Sequence, residues 1–169
     1  MERPGTNDKG SITAFYNVLV DSDDMNEPIT DAVRGILDGH IVLSRKLQQA
    51  YHYPAIDVLA SISRLSNRVS GPQTKKACGK IRTLMATYRD KETMITAGIY
   101  QKGTSPEIDE AVDKHDAIEQ FLMQDEYEVS SIGDTLAAVA EISGVPIPEE
   151  ELVESPAVAP VVTETSASE

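Results

Sequence analysis

The stretch His52-Tyr53-Pro54-Ala55-Ile56-Asp57, which continues to Ile62-Ser63-Arg64, sets the expectations for the rest of the chain. Proline disfavours helical backbone in the residue before it, so Tyr53 is predicted at a loop-to-strand entry with its ring held outward. The apolar residues that follow are typical of a buried strand or a tight buried turn. Arg64 comes where that apolar run stops, which predicts that it emerges at an edge of the domain.

An outward aromatic ring and an outward arginine, joined by a stiff segment, suit a nucleotide base and a phosphate. The other interpretation is that Tyr53 is a core tyrosine and that Arg64 is a surface ion-pair partner. The pattern of residues leaves both interpretations open.

The composition is that of an ordinary globular domain: 169 residues, of which 40% are hydrophobic and 25% are charged. The single cysteine, Cys78, excludes an intramolecular disulfide and favours a reducing compartment. No apolar run approaches the roughly 20 residues of a membrane helix, and residues 1–10 lack the apolar region of a secretory signal. We therefore expect a cytoplasmic protein.

The formal net charge of −13 is concentrated in one region of the chain. No Lys or Arg follows Lys114, whereas thirteen Asp and Glu do, and the preceding residues are neutral overall. Because attraction to phosphate backbones needs clustered Lys and Arg, this distribution argues against nucleic acid as a partner of the C-terminal region.

The first half of the chain predicts a strand, a loop and a helix. Residues 11–20 are rich in β-branched and aromatic side chains, which is typical of a strand buried on both faces of a parallel sheet. Residues 21–28 form an acidic loop without the spacing of an EF-hand, so a solvated or partner-contacting loop is favoured over a metal site. A single helix is predicted from Thr30 or Asp31 to about Ala50, weakened by Gly35 and Gly39.

The second half predicts three helices and a tail. The helices begin at Pro72, at Pro106 after a capping-box spacing, and near Ser130, and the last ends at Gly144. From Val145 the composition predicts a disordered acidic tail. The expected domains are residues 1–70, 71–144 and 145–169. The basic residues of the first of these helices are interpreted as a solvated face rather than a phosphate-binding surface; they are Lys75, Lys76, Lys80 and Arg82.

No complete catalytic apparatus occurs in this sequence. It has no Gly-x-x-x-x-Gly-Lys-[Ser/Thr] phosphate loop, no Ser-His-Asp set and no metal-binding motif. Two predicted strands with one helix between them make an incomplete sheet, because a strand buried on both faces needs neighbours at both edges. The chain is therefore interpreted as the back half of a larger domain.

Five blocks of sequence, in order, closely resemble the flagellum-specific and type III secretion ATPases, which are relatives of the subunits of rotary ATP synthases. The blocks are Gly10–Tyr16, Asp23–Ile29, Ile36–Arg45, Tyr53–Leu59 and Ser61–Arg64. The resemblance covers residues 1 to about 125 and fades in the acidic tail. It implies an α/β fold: the C-terminal part of a RecA-like parallel-sheet nucleotide-binding domain, followed by an α-helical domain.

The resemblance also implies roles for individual residues. Tyr53, with Pro54, is similar to the aromatic that stacks on adenine, and Gln124 and Tyr127 are expected near the same pocket. Arg64 is similar to an arginine finger that acts on ATP bound by the next subunit. The loop expected to face the central stalk contains Asp23, Asp24, Met25, Asn26 and Glu27.

The family is a homohexamer that uses ATP with Mg²⁺. The partners implied are a central-stalk protein, a peripheral stalk regulator, and export chaperones and substrates at the membrane export gate. The family's phosphate loop, catalytic glutamate and Walker B aspartate do not occur in this sequence, so we expect no ATP hydrolysis by this chain alone and no metal ligands within it.

The alternative is a noncatalytic module that joins or regulates complete hexamers. A nucleic-acid motor is disfavoured by the charge and by the Asp38–Arg45 block.

Overall fold

A computed structural model describes residues 5–19, 32 and 34–152. The chain divides into two compact units, Met1–Asp38 and Gly39–Glu169. The acidic loop at residues 21–28, including the predicted stalk-facing residues Asp23 to Glu27, lies outside the described residues.

In the first unit, strands β1 (Thr6–Asn7) and β2 (Gly10–Ser11) form an antiparallel pair. The side-chain carbonyl of Asn7 accepts hydrogen bonds from the backbone N–H groups of Lys9 (2.9 Å) and Gly10 (3.1 Å), which closes the turn between them.

The prediction of a buried strand from Ser11 is wrong over the described residues. Residues 12–19 have no regular secondary structure, and the side chains of Phe15 and Leu19 are 90% and 92% exposed. A strand is stabilised by the neighbours that pair with it, and no described strand pairs with these residues. High β propensity alone therefore does not form or bury this segment.

The single helix predicted from residue 30 to residue 50 is also wrong. Ala32 and residues 34–36 are helical, but strand β3 (Gly39–Leu43) and the short helix α1 (Arg45–Gln49) follow. The β-branched pair Ile41-Val42 suits a strand. Ser44 then caps α1, with its hydroxyl accepting a hydrogen bond from the N–H of Leu47 at 3.5 Å.

Strand β4 (Ile56–Ser63) confirms the strand predicted after Pro54. It pairs antiparallel with β3, so that Gly39 lies opposite Ser63 and Leu43 lies opposite Ile56, with an irregular register between His40 and Val42.

Side chains replace the missing ladder bonds at this irregularity. The Asp57 carboxylate accepts hydrogen bonds from the N–H groups of Leu59 and Ala60, both at 3.0 Å. The Ser61 hydroxyl donates to the Asp57 carbonyl at 2.6 Å and accepts from the Val42 N–H at 3.0 Å. The bulged strand is therefore held by its own side chains.

The rest of the second unit is helical: α2 (Ser66–Val69), α3 (Pro72–Thr96), α4 (Pro106–Leu122), α5 (Ile132–Ser143) and α6 (Glu149–Leu152). The starts at Pro72 and Pro106 and the left-handed cap at Gly144 (φ 67°) are as predicted. The capping box is not at residues 104–107 but at Ser131 and Asp134. Over the described residues, no helix is both long enough and apolar enough to cross a membrane.

The core of this unit combines α3, α4, α5 and the segment after them. Its buried apolar members are Ala77, Ile81, Leu84, Ala111, Ile118, Val139, Val145 and Ile147. The last two lie where a disordered tail was predicted, so that prediction is wrong as far as Leu152. It failed because two apolar side chains separated by one residue show no helical periodicity, although both pack against the helices. Residues 153–169 lie outside the described residues, and the three domain boundaries stay a prediction.

Helix α6 brings Glu151 to the N-terminus of α3. The carboxylate accepts hydrogen bonds from the N–H of Gln73 (3.2 Å) and from the N–H and hydroxyl of Thr74 (both 2.8 Å). A Cβ at Gly71 would overlap this carboxyl group, so a side chain there would displace the carboxylate from these hydrogen bonds. Hydrogen bonds from Thr74 and Gln73 and the charge of Lys75 outweigh desolvation and lower the pKa of Glu151 below its usual 4.5.

A lowered pKa in the folded state predicts a pH-dependent contribution to stability. The contribution is complete above the unfolded-state pKa and is lost as the pH falls through the folded-state pKa. We expect Glu151→Gln to lower the free energy of unfolding at pH 7 and to approach the parent protein as the pH falls below the usual pKa of 4.5 and through the lowered pKa of the folded state. Urea unfolding at several pH values, with Glu150→Gln as the control, measures this difference. A difference that does not change with pH would contradict the assignment.

Candidate functional site

The chain turns sharply between α1 and β4. Tyr51 adopts left-handed backbone (φ 62°), with its N–H bonded to the Gln48 carbonyl (3.1 Å) and the His52 N–H bonded to the Leu47 carbonyl (2.9 Å). These two bonds are a Schellman motif. His52 is buried, with Nδ1 3.3 Å from the Pro54 carbonyl and Nε2 3.5 Å from a Glu119 oxygen. The buried histidine anchors the turn and leaves the next residue at the surface.

Tyr53 stands at the predicted loop-to-strand entry, and its side chain is 44% exposed. The Tyr53-Pro54 peptide bond is cis. The Tyr53 ring lies edge-on to the Tyr51 ring, with centroids 5.5 Å apart. Its carbonyl accepts a hydrogen bond from the backbone N–H of Gln124 at 2.8 Å. This bond joins the Tyr-Pro turn to the loop between α4 and α5, 71 positions later in the sequence.

A cavity of about 490 Å³ lies between this turn and the helices. Its apolar lining includes Pro54, Ile56, Val58 and Phe121. Its polar lining includes Gln124, Glu128, Ser130 and Asp134. A cavity lined mostly by apolar groups, with a small number of polar ones, is the usual form of a small-molecule site.

The structure brings together some of the residues predicted for an adenine pocket. Pro54 and Gln124 line the cavity, and the Gln124 side-chain amide donates to the Ser130 hydroxyl at 3.2 Å. Tyr53 contacts Gln124 through its carbonyl, but its ring is not part of the lining. The Tyr127 side chain is 83% exposed and is not part of the lining either.

Arg64 follows directly after the last residue of β4 and is exposed. The strand ends in a local turn, since the Ser66 N–H donates to the Ser63 hydroxyl (3.2 Å) and the Ser66 hydroxyl donates to the Ser63 carbonyl (3.0 Å). The guanidinium group is therefore carried at the end of a paired strand.

Two arginines of α3 hold β4, and the sequence pattern predicted neither role. Arg82, which was interpreted as part of a solvated face, donates to the backbone carbonyls of Val58, Leu59 and Ser61. Arg89 Nη2 lies 3.0 Å from Asp57 Oδ1. The seven-residue spacing puts both arginines on one face of a helix, which is the signal that could have identified them.

The environment of Asp57 favours its charged form. Burial raises the pKa of this carboxyl group, but the bond to Arg89 and the N–H groups of Ala60 and Leu59 together lower the pKa below its usual 3.8. Asp57 therefore stays ionised near neutral pH and keeps its ion pair with α3. Among the described residues, no group of three or more His, Cys, Asp and Glu side chains could hold a metal ion.

Two protein-family models match successive parts of the chain. Residues 1–63 match the sequence model described as the ATP synthase alpha/beta family, nucleotide-binding domain. Residues 70–141 match the one described as the T3SS EscN ATPase C-terminal domain. The change from one model to the other falls between residues 63 and 70, before α3.

Among curated proteins, the chain is 48% identical over 147 residues to the flagellum-specific ATP synthase of Treponema pallidum (strain Nichols), covering 87% of this chain and 33% of that protein. It is 49% identical over 144 residues to the one of Bacillus subtilis (strain 168), covering 85% and 33%. It is 48% identical over 143 residues to the type 3 secretion system ATPase of Pseudomonas syringae pv. tomato (strain ATCC BAA-871 / DC3000), covering 85% and 32%. The chain thus spans about a third of the length of the curated relatives it matches.

Among solved structures, the assembled ATPase EscN from the enteropathogenic E. coli type III secretion system aligns with a TM-score of 0.77 at 41% identity, over 79% of this chain and 32% of that one. EscN in complex with its central stalk EscO aligns with a TM-score of 0.75 at 39% identity, over 83% and 33%. The chain belongs to the family of flagellum-specific and type III secretion ATPases. The predicted α/β class and the resemblance are both confirmed.

Proposed function

We propose that this chain supplies the base-binding side and the trans-acting arginine of an ATP site in a protein-export ATPase. The observation that carries the proposal is the 2.8 Å hydrogen bond from the Gln124 N–H to the Tyr53 carbonyl, beside the cavity of about 490 Å³. This bond joins the Tyr-Pro turn to the helical region, so that the two form a single binding wall.

The cavity suits a purine base. Its volume lies in the range of about 300 to 1,000 Å³ that is usual for small-molecule pockets. The faces of Pro54 and Phe121 offer apolar contact to a flat ring. The side chains of Gln124, Ser130 and Asp134 offer donors and acceptors for its edge. The half-exposed ring of Tyr53 is proposed to stack on the base, with Tyr127 nearby.

Arg64 is proposed to act on the nucleotide of a neighbouring subunit. Its guanidinium group is always charged and binds phosphate oxygens in a forked geometry. Charge develops on the transferring phosphoryl group, and an arginine supplied from another subunit stabilises it. An exposed position just after a paired strand is consistent with such a role in a homohexamer.

The phosphates and Mg²⁺ require residues that this sequence does not contain, because no phosphate-loop motif occurs in it. We therefore propose that the chain does not hydrolyse ATP by itself. In the complete assembly, the proposed partners are a central-stalk protein contacted by residues 23–27, a peripheral stalk regulator, and export chaperones and substrates. The proposed location is cytoplasmic, peripheral to the membrane export gate.

A noncatalytic module that joins complete hexamers is the second candidate. It is favoured by the helical region, whose core includes Val145 and Ile147 from beyond α5. Adding the purified chain to a complete relative distinguishes the candidates, since a module of this kind would co-migrate with the hexamer in size-exclusion chromatography and change its turnover.

Replacing Tyr53 tests the base-binding side. In a chimera in which this chain replaces the matched third of the Bacillus subtilis relative, we expect Tyr53→Ala to weaken ATP binding by about 1 to 3 kcal/mol, the usual value of base stacking on an aromatic ring. Titration with a fluorescent ATP analogue measures the loss. Tyr53→Phe keeps the ring and is expected to bind normally. If Tyr53→Ala and the parent bound the ATP analogue with equal affinity, Tyr53 would not be part of the base-binding site.

A further inference from the structure

Of the two arginines of α3 that hold β4, Arg82 makes the contact that lies nearer to Arg64 along the strand, at the Ser61 carbonyl. We propose that Arg82 is a positioning residue for Arg64. Arg82 clamps the second half of β4, as far as Ser61, to α3 and thereby couples the helical region to the proposed arginine finger. This inference rests on the proposed role of Arg64.

The clamp has three contacts. Arg82 Nη1 lies 2.7 Å from the Val58 carbonyl, and Nη2 lies 3.3 Å from the carbonyls of Leu59 and Ser61. These carbonyls belong to the irregular stretch of β4, where the register against β3 shifts. The planar fork of a guanidinium group can bind several acceptors at once in a fixed geometry, which the single ammonium of lysine cannot reproduce.

On the side away from α3, the last residues of β4 pack closely against β3. Gly39 pairs with Ser63, and a Cβ built on Gly39 would lie only 2.7 Å from the Ile62 carbonyl oxygen. No positive φ is involved, so the glycine is required by the close approach of the two backbones. The residues just before Arg64 are thus packed against β3 on one side and tied to α3 through Ser61 on the other.

The helix that carries Arg82 is firmly placed in the helical core. Ile81 and Leu84, beside Arg82 in the sequence, are 6% and 5% exposed. The ion pair of Arg89 with Asp57 attaches the first half of β4 to the same helix. A displacement of α3 relative to β3 would therefore be passed to the strand end through these two arginines, and Arg82 is the one nearer to Arg64.

A merely structural clamp and a positioning clamp predict different kinetics. If Arg82 only stabilises the fold, its loss lowers thermal stability and weakens ATP binding together with turnover. If it positions Arg64, its loss lowers kcat and leaves KM unchanged, because an interaction realised only in the transition state is removed. Displacements of about 1 Å can cost up to about 100-fold in rate.

The experiment compares Arg82→Ala, Arg82→Lys and Lys80→Ala in the chimera and in the 169-residue chain. Lys80 is the matched control, since it lies on the same helix and pairs with Glu110 of α4 at 2.6 Å. We expect kcat for ATP to fall about 10- to 100-fold in Arg82→Ala, less in Arg82→Lys and not in Lys80→Ala. KM is expected to stay constant in all three variants. Hydrogen exchange of residues 59–64 in the chain is expected to accelerate in the same order.

Four results would overturn the inference: unchanged kcat in Arg82→Ala, a fall in kcat accompanied by a raised KM and a lower melting temperature, loss of the folded state in both Arg82 variants, or unchanged hydrogen exchange. The exchange measurement separates this inference from the proposed function. Unchanged exchange contradicts the clamp itself, and accelerated exchange with normal kcat contradicts its coupling to Arg64. Normal turnover in Arg64→Ala would instead contradict the proposed function.

Discussion

Arg64→Ala is expected to lower ATP turnover of the chimera by about 10³- to 10⁵-fold, the usual contribution of an arginine finger to phosphoryl transfer. The residue directly follows the paired strand β4 and is exposed, as the proposed role in a neighbouring subunit's ATP site requires. Because the proposed contact forms with charge that develops in the transition state, nucleotide binding should be largely retained. Steady-state turnover and titration with an ATP analogue, made on the same preparations, measure the two effects separately.

Arg68→Ala is a suitable control for this experiment, since Arg68 is an exposed arginine on the short helix α2 that follows. It is expected to turn over ATP normally. Arg64→Lys keeps the charge but loses the planar fork, so its turnover should stay far below that of the parent. Near-normal turnover in Arg64→Ala would refute the proposed arginine-finger role of Arg64, whether or not the proposed base-binding site is correct.

Truncation after Gly144 should cause the largest loss of stability. It removes Val145 and Ile147, which are both 8% exposed in the core of the helical region. Burial of two such side chains is worth about 3 to 6 kcal/mol together, which is a large fraction of the total stability of about 5 to 15 kcal/mol that is normal for a domain. The truncation also deprives the start of α3 of its Glu151 cap. Urea unfolding of the truncated and complete chains measures the loss.

Truncation after Leu152 is the control for this result, because it keeps the buried side chains and the cap. The composition of residues 153–169 predicts no contribution to a packed core, so this variant should unfold at the urea concentration of the complete chain. If truncation after Gly144 left the unfolding midpoint unchanged, residues 145–152 would be a tail after all.

Local signals in the sequence predicted several elements correctly. Pro72 and Pro106 mark helix starts because proline has no N–H to lose in the first turn of a helix. Gly144 marks a helix end because glycine accepts left-handed backbone at no steric cost. The strand after Pro54 was predicted correctly because its apolar run is short and because proline disfavours helical backbone at Tyr53. The five blocks of sequence between Gly10 and Arg64, which occur in the order typical of the family, were sufficient to predict the family.

The failures share one physical cause, which is dependence on a partner that lies far away in the sequence. Gly39–Leu43 is a strand because β4 pairs with it, and a helical spacing of apolar residues could not reveal that pairing. Residues 12–19 have the composition of a strand, yet no described strand pairs with them.

The sequence by itself determined the family, the helix starts at Pro72 and Pro106, the helix end at Gly144 and the position of Arg64 at the end of a strand, because these depend on neighbouring residues and on short motifs. Only the tertiary structure decided that Val145 and Ile147 belong to the core, that Glu151 caps α3 and that Arg82 binds the carbonyls of β4. Each of these three depends on groups brought together by folding across about 20 to 80 positions of the chain, where propensity and periodicity carry no information.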